Sequence, residues 1–311
     1  MGGAIGDALG MPLEQLPETK IRERFDTPIY EFLDATEGAP CYEFGLKRGM
    51  YTDDTQAVRV SARAIAENNA LTPRLIADAL SGWLFGNALD QAPRYPGVTT
   101  VTAMQRYNNT GDPTRSGVPS KGCGAAIRIS PVALWLAITN ESDFTSTIET
   151  IAGITHIEQS AIDGAVIVAH LIKNILQGYV PSFDELNDLC SSDRMRGALR
   201  KAKVGTTGQS GPDLALDLGG GTGAHEVVPM ALYHLYTNSF GFKKTIESGL
   251  NTFHPSGIDM DSILSIAGCI SGIYAPDEVL SSVWLKDLED AEVIATEAQA
   301  LLNAALSSED S

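Results

Sequence analysis

Four cysteines in 311 residues, none of them in a CxxC pair, leave neither a disulfide frame nor a thiolate zinc motif to read. Cys41, Cys123, Cys190 and Cys269 are widely spaced and read as free thiols of a cytoplasmic protein. No apolar run approaches the roughly 18 residues that a membrane-crossing helix needs. Mean hydropathy is −0.02, so no membrane association is expected. The amino terminus, Met1-Gly2-Gly3-Ala4-Ile5-Gly6-Asp7, lacks the basic segment and long apolar core of a secretion signal. Positive charge is scarce: 22 Lys and Arg stand against 39 Asp and Glu, a formal net charge of −17. Polynucleotide binding depends on cationic side chains that neutralise phosphates, so nucleic acid is not an expected partner. A small phosphorylated ligand stays open. Backbone N–H groups of glycine-rich loops and helix N-termini hold pyrophosphate without much positive charge.

Strand signals are also missing. There is no sustained alternation and no hairpin dipeptide of the Asn-Gly type. Helical spacing is present instead, from Asp53 to about Asn68, after Thr72-Pro73, over 146–177 and over 285–306. Residues 2–14 combine Gly2, Gly3, Gly6 and Gly10 with alanines and end at Pro12, a helix whose small face admits another backbone. Residues 15–50 read as a long, partly ordered connection. The chain predicts an all-α fold, a single compact multi-helix domain over 1–306, with 307–311 a disordered acidic tail.

Two acidic clusters then stand out. Thr52-Asp53-Asp54-Thr55 opens the helix over 53–68, and Asp259-Met260-Asp261-Ser262 opens another. Each alone suits helix capping and the positive end of the helix dipole. If the two helix starts face each other, four carboxylates meet and repel unless protons or cations neutralise them. Oxygen ligands without Cys or paired His favour Mg²⁺, Mn²⁺ or Ca²⁺ over zinc, and Glu14 adds enough oxygens for two ions.

The segments GGAIGDALGMPLE, GMYTDDT, SKGCGAAIRISPVAL, Thr155-His156 and G-x-D-x-D-S, in that order, resemble the ADP-ribosylglycohydrolase family of the dinitrogenase-reductase-activating type. The resemblance covers roughly residues 2–275. It implies a helical domain with a binuclear Mg²⁺ (or Mn²⁺) centre at the base of an ADP-ribose cleft, and an ADP-ribosylated protein as partner. It places Thr52, Asp53 and Asp54 on one metal, Glu14, Asp259 and Ser262 on the other, and Asp261 between them. The loop of Gly97, Val98 and Thr99 and the segment of Ser120, Lys121, Gly122, Cys123 and Gly124 match positions that cradle the diphosphate and distal ribose. His156 matches a histidine lining that cleft, whereas His170 reads as structural.

The implied reaction cleaves the C1″ glycosidic bond through an oxocarbenium-like state. Glu14 is the first candidate for general base and Asp54 the second. Arginine in a protein is the simplest acceptor. Serine, a small metabolite, or a non-catalytic member of the family are the alternatives. Cys123 stands where many relatives carry Asn, and Ser262 where Thr is common. Ile258 replaces the second of two glycines, which predicts a narrower cleft or a shifted backbone. The chain also begins almost on its first motif, which predicts shorter packing at the amino terminus.

Overall fold

The computed structural model describes residues 1–89 and 91–309. Twelve helices of nine residues or more are found among them. The first six are α1 (Gly2–Gly10), α2 (Asp53–Asn68), α3 (Pro73–Phe85), α4 (Val98–Thr110), α5 (Ser130–Ile138) and α6 (Phe144–Gly153). The others are α7 (Gln159–Leu176), α8 (Asp193–Gly205), α9 (Ala224–Thr237), α10 (Phe242–Leu250), α11 (Met260–Tyr274) and α12 (Ala291–Glu309). The fold is all-α: the β-pairing among the described residues amounts to two isolated bridges, Val118 with His156 and Gly122 with Gly223.

The closest helix pair is α1 against α11, and glycine spacing explains it. A side-chain carbon at Gly2 would lie 2.2 Å from the Gly268 carbonyl oxygen, one at Gly6 2.0 Å from that of Leu264, and one at Gly10 2.5 Å from the backbone of Asp261. Positions 2, 6 and 10 share one face of a helix, so their missing side chains form a groove that the α11 backbone fills. Ile5, Ala8 and Leu9 are buried as well, so α1 lies inside the molecule. Past Gly10 a 3-10 turn, Met11–Leu13, delivers Glu14 next to the start of α11.

A second tie joins α2 to α12. Arg59, 5% exposed, pairs with Asp290 at 2.9 Å and Glu297 at 2.8 Å and donates to the Tyr51 hydroxyl. Both partners satisfy a cation that burial would otherwise strip of water.

Three boundaries differ from expectation. The helical pattern over 146–177 breaks at Gly153, and α7 restarts at Gln159 with the Glu158 carboxylate accepting from Ser160 N. His156 therefore sits in the break, not on a helix, while His170 stays on α7. Val98 and Thr99, read as loop, form the first turn of α4, with Gly97 as its N-cap. Ser307, Ser308 and Glu309, expected in a disordered tail, continue α12, and Ser308 donates to Asn69 Oδ1 at 2.9 Å. The rest of that tail, Asp310 and Ser311, lies outside the described residues. The connection over 15–50 contains one short helix, Glu18–Arg24, and one 3-10 turn, Pro40–Tyr42.

Candidate metal centre and ligand cleft

Thr52 is the N-cap of α2, its hydroxyl accepting from Asp54 N at 3.2 Å. The capping reading of this cluster is therefore correct. It is not the whole account, because Ser262 Oγ, in the first turn of α11, donates to Asp54 Oδ2 at 3.1 Å. The two acidic clusters, some two hundred residues apart in sequence, meet. Carboxylate oxygens of Glu14, Asp259 and Asp261 all lie within 4.8 Å of one another. Asp261 Oδ1 is buried and has no hydrogen-bond partner among the described residues.

Burial raises the pKa of Glu14, Asp53, Asp54, Asp259 and Asp261, and the charges of neighbouring carboxylates push Glu14, Asp54 and Asp261 up further. Such a cluster demands protons or cations. All-oxygen donors and an orphaned carboxylate oxygen fit hard divalent ions. Two thiols lie at its edge: Cys41 Sγ donates to Glu14 Oε2 at 3.5 Å and Cys123 Sγ to Asp259 Oδ2 at 3.4 Å. Burial first, then the acidic neighbours, raise both thiols, which stand here as hydrogen-bond donors to the carboxylates. All four cysteines are free.

Asp7 was not singled out by sequence reasoning. Its carboxylate, fully buried on α1, accepts from Thr52 N at 3.0 Å, Thr55 N at 3.0 Å and Thr55 Oγ1 at 2.6 Å. It thus fixes the N-terminus of α2 from a neighbouring helix. The available signal was one acid within a run of glycines and apolar residues. Gln56 has a similar role. Its side chain accepts from Arg94 N at 3.0 Å and donates to the Ala92 carbonyl at 3.0 Å, holding the strand of chain that leads to Gly97. Gly97 N in turn donates to Asp53 Oδ2 at 3.2 Å.

The proposed cradle residues also converge. Thr99 Oγ1 donates to Ser120 Oγ at 2.8 Å, joining the start of α4 to the loop over 120–124. His156, 2% exposed, stands beneath that loop, with Gly122 and Gly124 facing its ring. The glycine-rich segment Gly219–Gly223 runs alongside. Cys123 N donates to the Thr222 carbonyl and Ala224 N to that of Lys121. The Glu226 carboxylate occupies the amides of Gly221 and Gly223 at 3.2 and 3.1 Å, so this loop frames the cleft but spends those donors on itself.

Ile258 packs into the hydrophobic core. Its side chain is 2% exposed in the core, and its carbonyl accepts from Gln15 N at 2.9 Å. The glycine requirement falls on Gly257 alone, at φ +89° with the Gln15 carbonyl oxygen 2.3 Å from any added side-chain carbon.

A family model described as ADP-ribosylglycohydrolase matches residues 1–310. The ADP-ribosylhydrolase ARH3 of Xenopus tropicalis is 24% identical, over 93% of this chain and 91% of its own. The ADP-ribosyl-[dinitrogen reductase] glycohydrolase of Rhodospirillum rubrum is also 24% identical, over 93% and 88%. A solved structure, an ADP-ribosylglycohydrolase-related protein complex, superposes with a TM-score of 0.72 over 98% of this chain and 95% of its own, at 24% identity.

Proposed function

The chain belongs to the ADP-ribosylglycohydrolase family, and from that premise we propose that it is a Mg²⁺- or Mn²⁺-dependent hydrolase that releases ADP-ribose from ADP-ribosyl-arginine in protein. The carrying observation is the buried Glu14–Asp259–Asp261 group with its orphaned Asp261 oxygen. Thr52, Asp53 and Asp54 would hold one cation, Glu14, Asp259 and Ser262 the second, and Asp261 both. When bound, such ions supply Lewis-acid polarisation and a water of lowered pKa.

The side chains divide the remaining work. Glu14 accepts the proton of the attacking water, whose oxygen joins C1″ while the bond to the acceptor nitrogen breaks. The electron pair and that proton leave with the acceptor. Asp54, fixed by Ser262, is the second candidate for the base. The amides of Val98 and Thr99, which Gly97 positions as the N-cap of α4, and the loop from Ser120 through Lys121, Gly122 and Cys123 to Gly124 hold the diphosphate and distal ribose above His156.

An arginine acceptor suits the mouth of the site. Phe44 and Tyr95, 47% and 44% exposed, form an edge-to-face pair with centroids 5.6 Å apart. Their chain segments are tied to the carboxylates through Cys41–Glu14 and Gly97–Asp53. Partial burial and then the negative charges of Glu14, Asp53 and Asp261 raise the Tyr95 phenol. Neighbouring Arg94 is committed to Glu289 and the Tyr51 carbonyl. Exposed ring faces beside excess negative charge favour a guanidinium, a preference of about 0.5–2 kcal/mol. Among the described residues no helix is long and apolar enough to cross a membrane. The free thiols suit a reducing cytoplasm.

With Mg²⁺, the protein is expected to release ADP-ribose from ADP-ribosyl-arginine. Asp259→Ala combined with Asp261→Ala is expected to lower turnover by more than about a hundredfold. Full activity of that variant, or of the wild type in excess EDTA, contradicts the proposed centre.

A further inference from the structure

Arg128 is 3% exposed and has no carboxylate partner among the described residues. Its Nη1 donates to the Gly124 carbonyl at 2.8 Å, and its Nη2 donates to Thr155 Oγ1. A guanidinium has no acceptor, so the Thr155 oxygen must accept from it. Thr155 is fully buried, and the other partner of its hydroxyl is His156 Nδ1 at 2.7 Å. If Nδ1 carried the imidazole proton, the threonine would accept twice and its own proton would be buried without a partner. That costs the full desolvation of the donor. The hydroxyl proton therefore points to Nδ1, and the imidazole proton sits on Nε2.

Nε2 faces the 120–124 loop. A side-chain carbon at Gly122 would lie 3.2 Å from it and one at Gly124 3.8 Å, and Nε2 has no hydrogen-bond partner among the described residues. We propose that Arg128 and Thr155 are positioning residues that lock His156 as the Nε2–H tautomer, giving the 120–124 loop a fixed side-chain donor toward an oxygen of the bound diphosphate-ribose. The identity of that oxygen's owner rests on the functional reading above; the tautomer does not. Burial, and secondarily the Arg128 charge, hold the His156 pKa down to about 3, so the ring stays neutral at physiological pH. Arg128 itself, lowered by burial to about 10, remains a cation there. The arrangement is a chain of donors, Arg128 to Thr155 to His156 to ligand, in which each orientation dictates the next.

Nitrogen-15 NMR of the wild-type histidines, with His156 assigned through His156→Gln, tests the tautomer directly. Nε2 is expected at the protonated position and Nδ1 at the unprotonated one. Calorimetry with free ADP-ribose then compares Thr155→Ser, which keeps the hydroxyl, with Thr155→Val, which removes it. Affinity within about twofold for the first and a loss of about tenfold for the second is expected. An Nδ1–H wild type overturns the relay, as does Thr155→Val binding like the wild type. Should Thr155→Val not fold, the wild-type spectrum alone decides. A wild type with the Nε2–H tautomer that fails to bind ADP-ribose at millimolar concentration upholds the relay and overturns the functional reading instead.

Discussion

Asp7 shows how one buried acid can organise a site it does not enter. Its carboxylate satisfies two N-terminal amides and a hydroxyl of α2, which burial would otherwise leave unpaired. Burial raises its own pKa to about 6, against the opposing effect of those hydrogen bonds. Asp7→Ala is expected to destabilise the protein by about 2–4 kcal/mol, because it strands buried donors and leaves a small cavity. It is also expected to weaken Mg²⁺ binding, since Thr52 and Asp53 lose their anchor. Denaturant unfolding and Mg²⁺ titration check both, and an unchanged midpoint would show the anchor to be dispensable. Ile258 makes a different point: a residue that departs from the family pattern is buried in the core, and its carbonyl accepts from Gln15 N.

At the scale of elements, the glycine face of α1 decides how near Glu14 comes to Asp259 and Asp261. Gly6→Ala would drive a side-chain carbon to within 2.0 Å of the Leu264 carbonyl oxygen, which belongs to backbone and has nowhere to go. A loss of about 2 kcal/mol or more is expected, together with weaker metal binding as the helices part. Gly197, inside α8 with nothing within 4 Å, is the control. Gly197→Ala is expected to stabilise by about 0.5–1 kcal/mol through helix propensity. Equal effects at the two positions in thermal melts would remove the packing argument.

For the whole molecule, the dominant electrostatic fact is a buried acidic centre within a chain of net charge −17. Glu14, Asp53, Asp54, Asp259 and Asp261 are all raised, and Asp7 is raised to about 6 from 3.8. The folded state therefore binds more protons than the unfolded one above about pH 4, and stability falls as pH rises. The contribution is full below the unfolded pKa values and is lost through about pH 6 for Asp7, and for the others as pH passes their raised pKa values. In EDTA, the melting temperature is expected to drop between about pH 5 and pH 8, and millimolar Mg²⁺ is expected to reduce that drop. A melting temperature in EDTA that rises over this interval would contradict the cost assigned to ionising the cluster.

Helix content, the N-cap at Thr52, the small face of α1 and the two acidic helix starts, with Glu14 as a further oxygen donor, were legible in the chain itself. Each rests on local chemistry: propensity, capping, glycine spacing, or residue types clustered at helix starts. The break at Gly153 was not legible, because the apolar period runs through it while the Val118–His156 pairing that holds the turn is non-local. Asp7, Gln56 and the Arg128–Thr155–His156 relay were invisible for a related reason. A buried polar side chain takes its meaning from the donors and acceptors that distant segments bring to it. Sequence determined which carboxylates, hydroxyls and other polar groups this protein has. Tertiary structure decided which of those groups meet and which partners each one has.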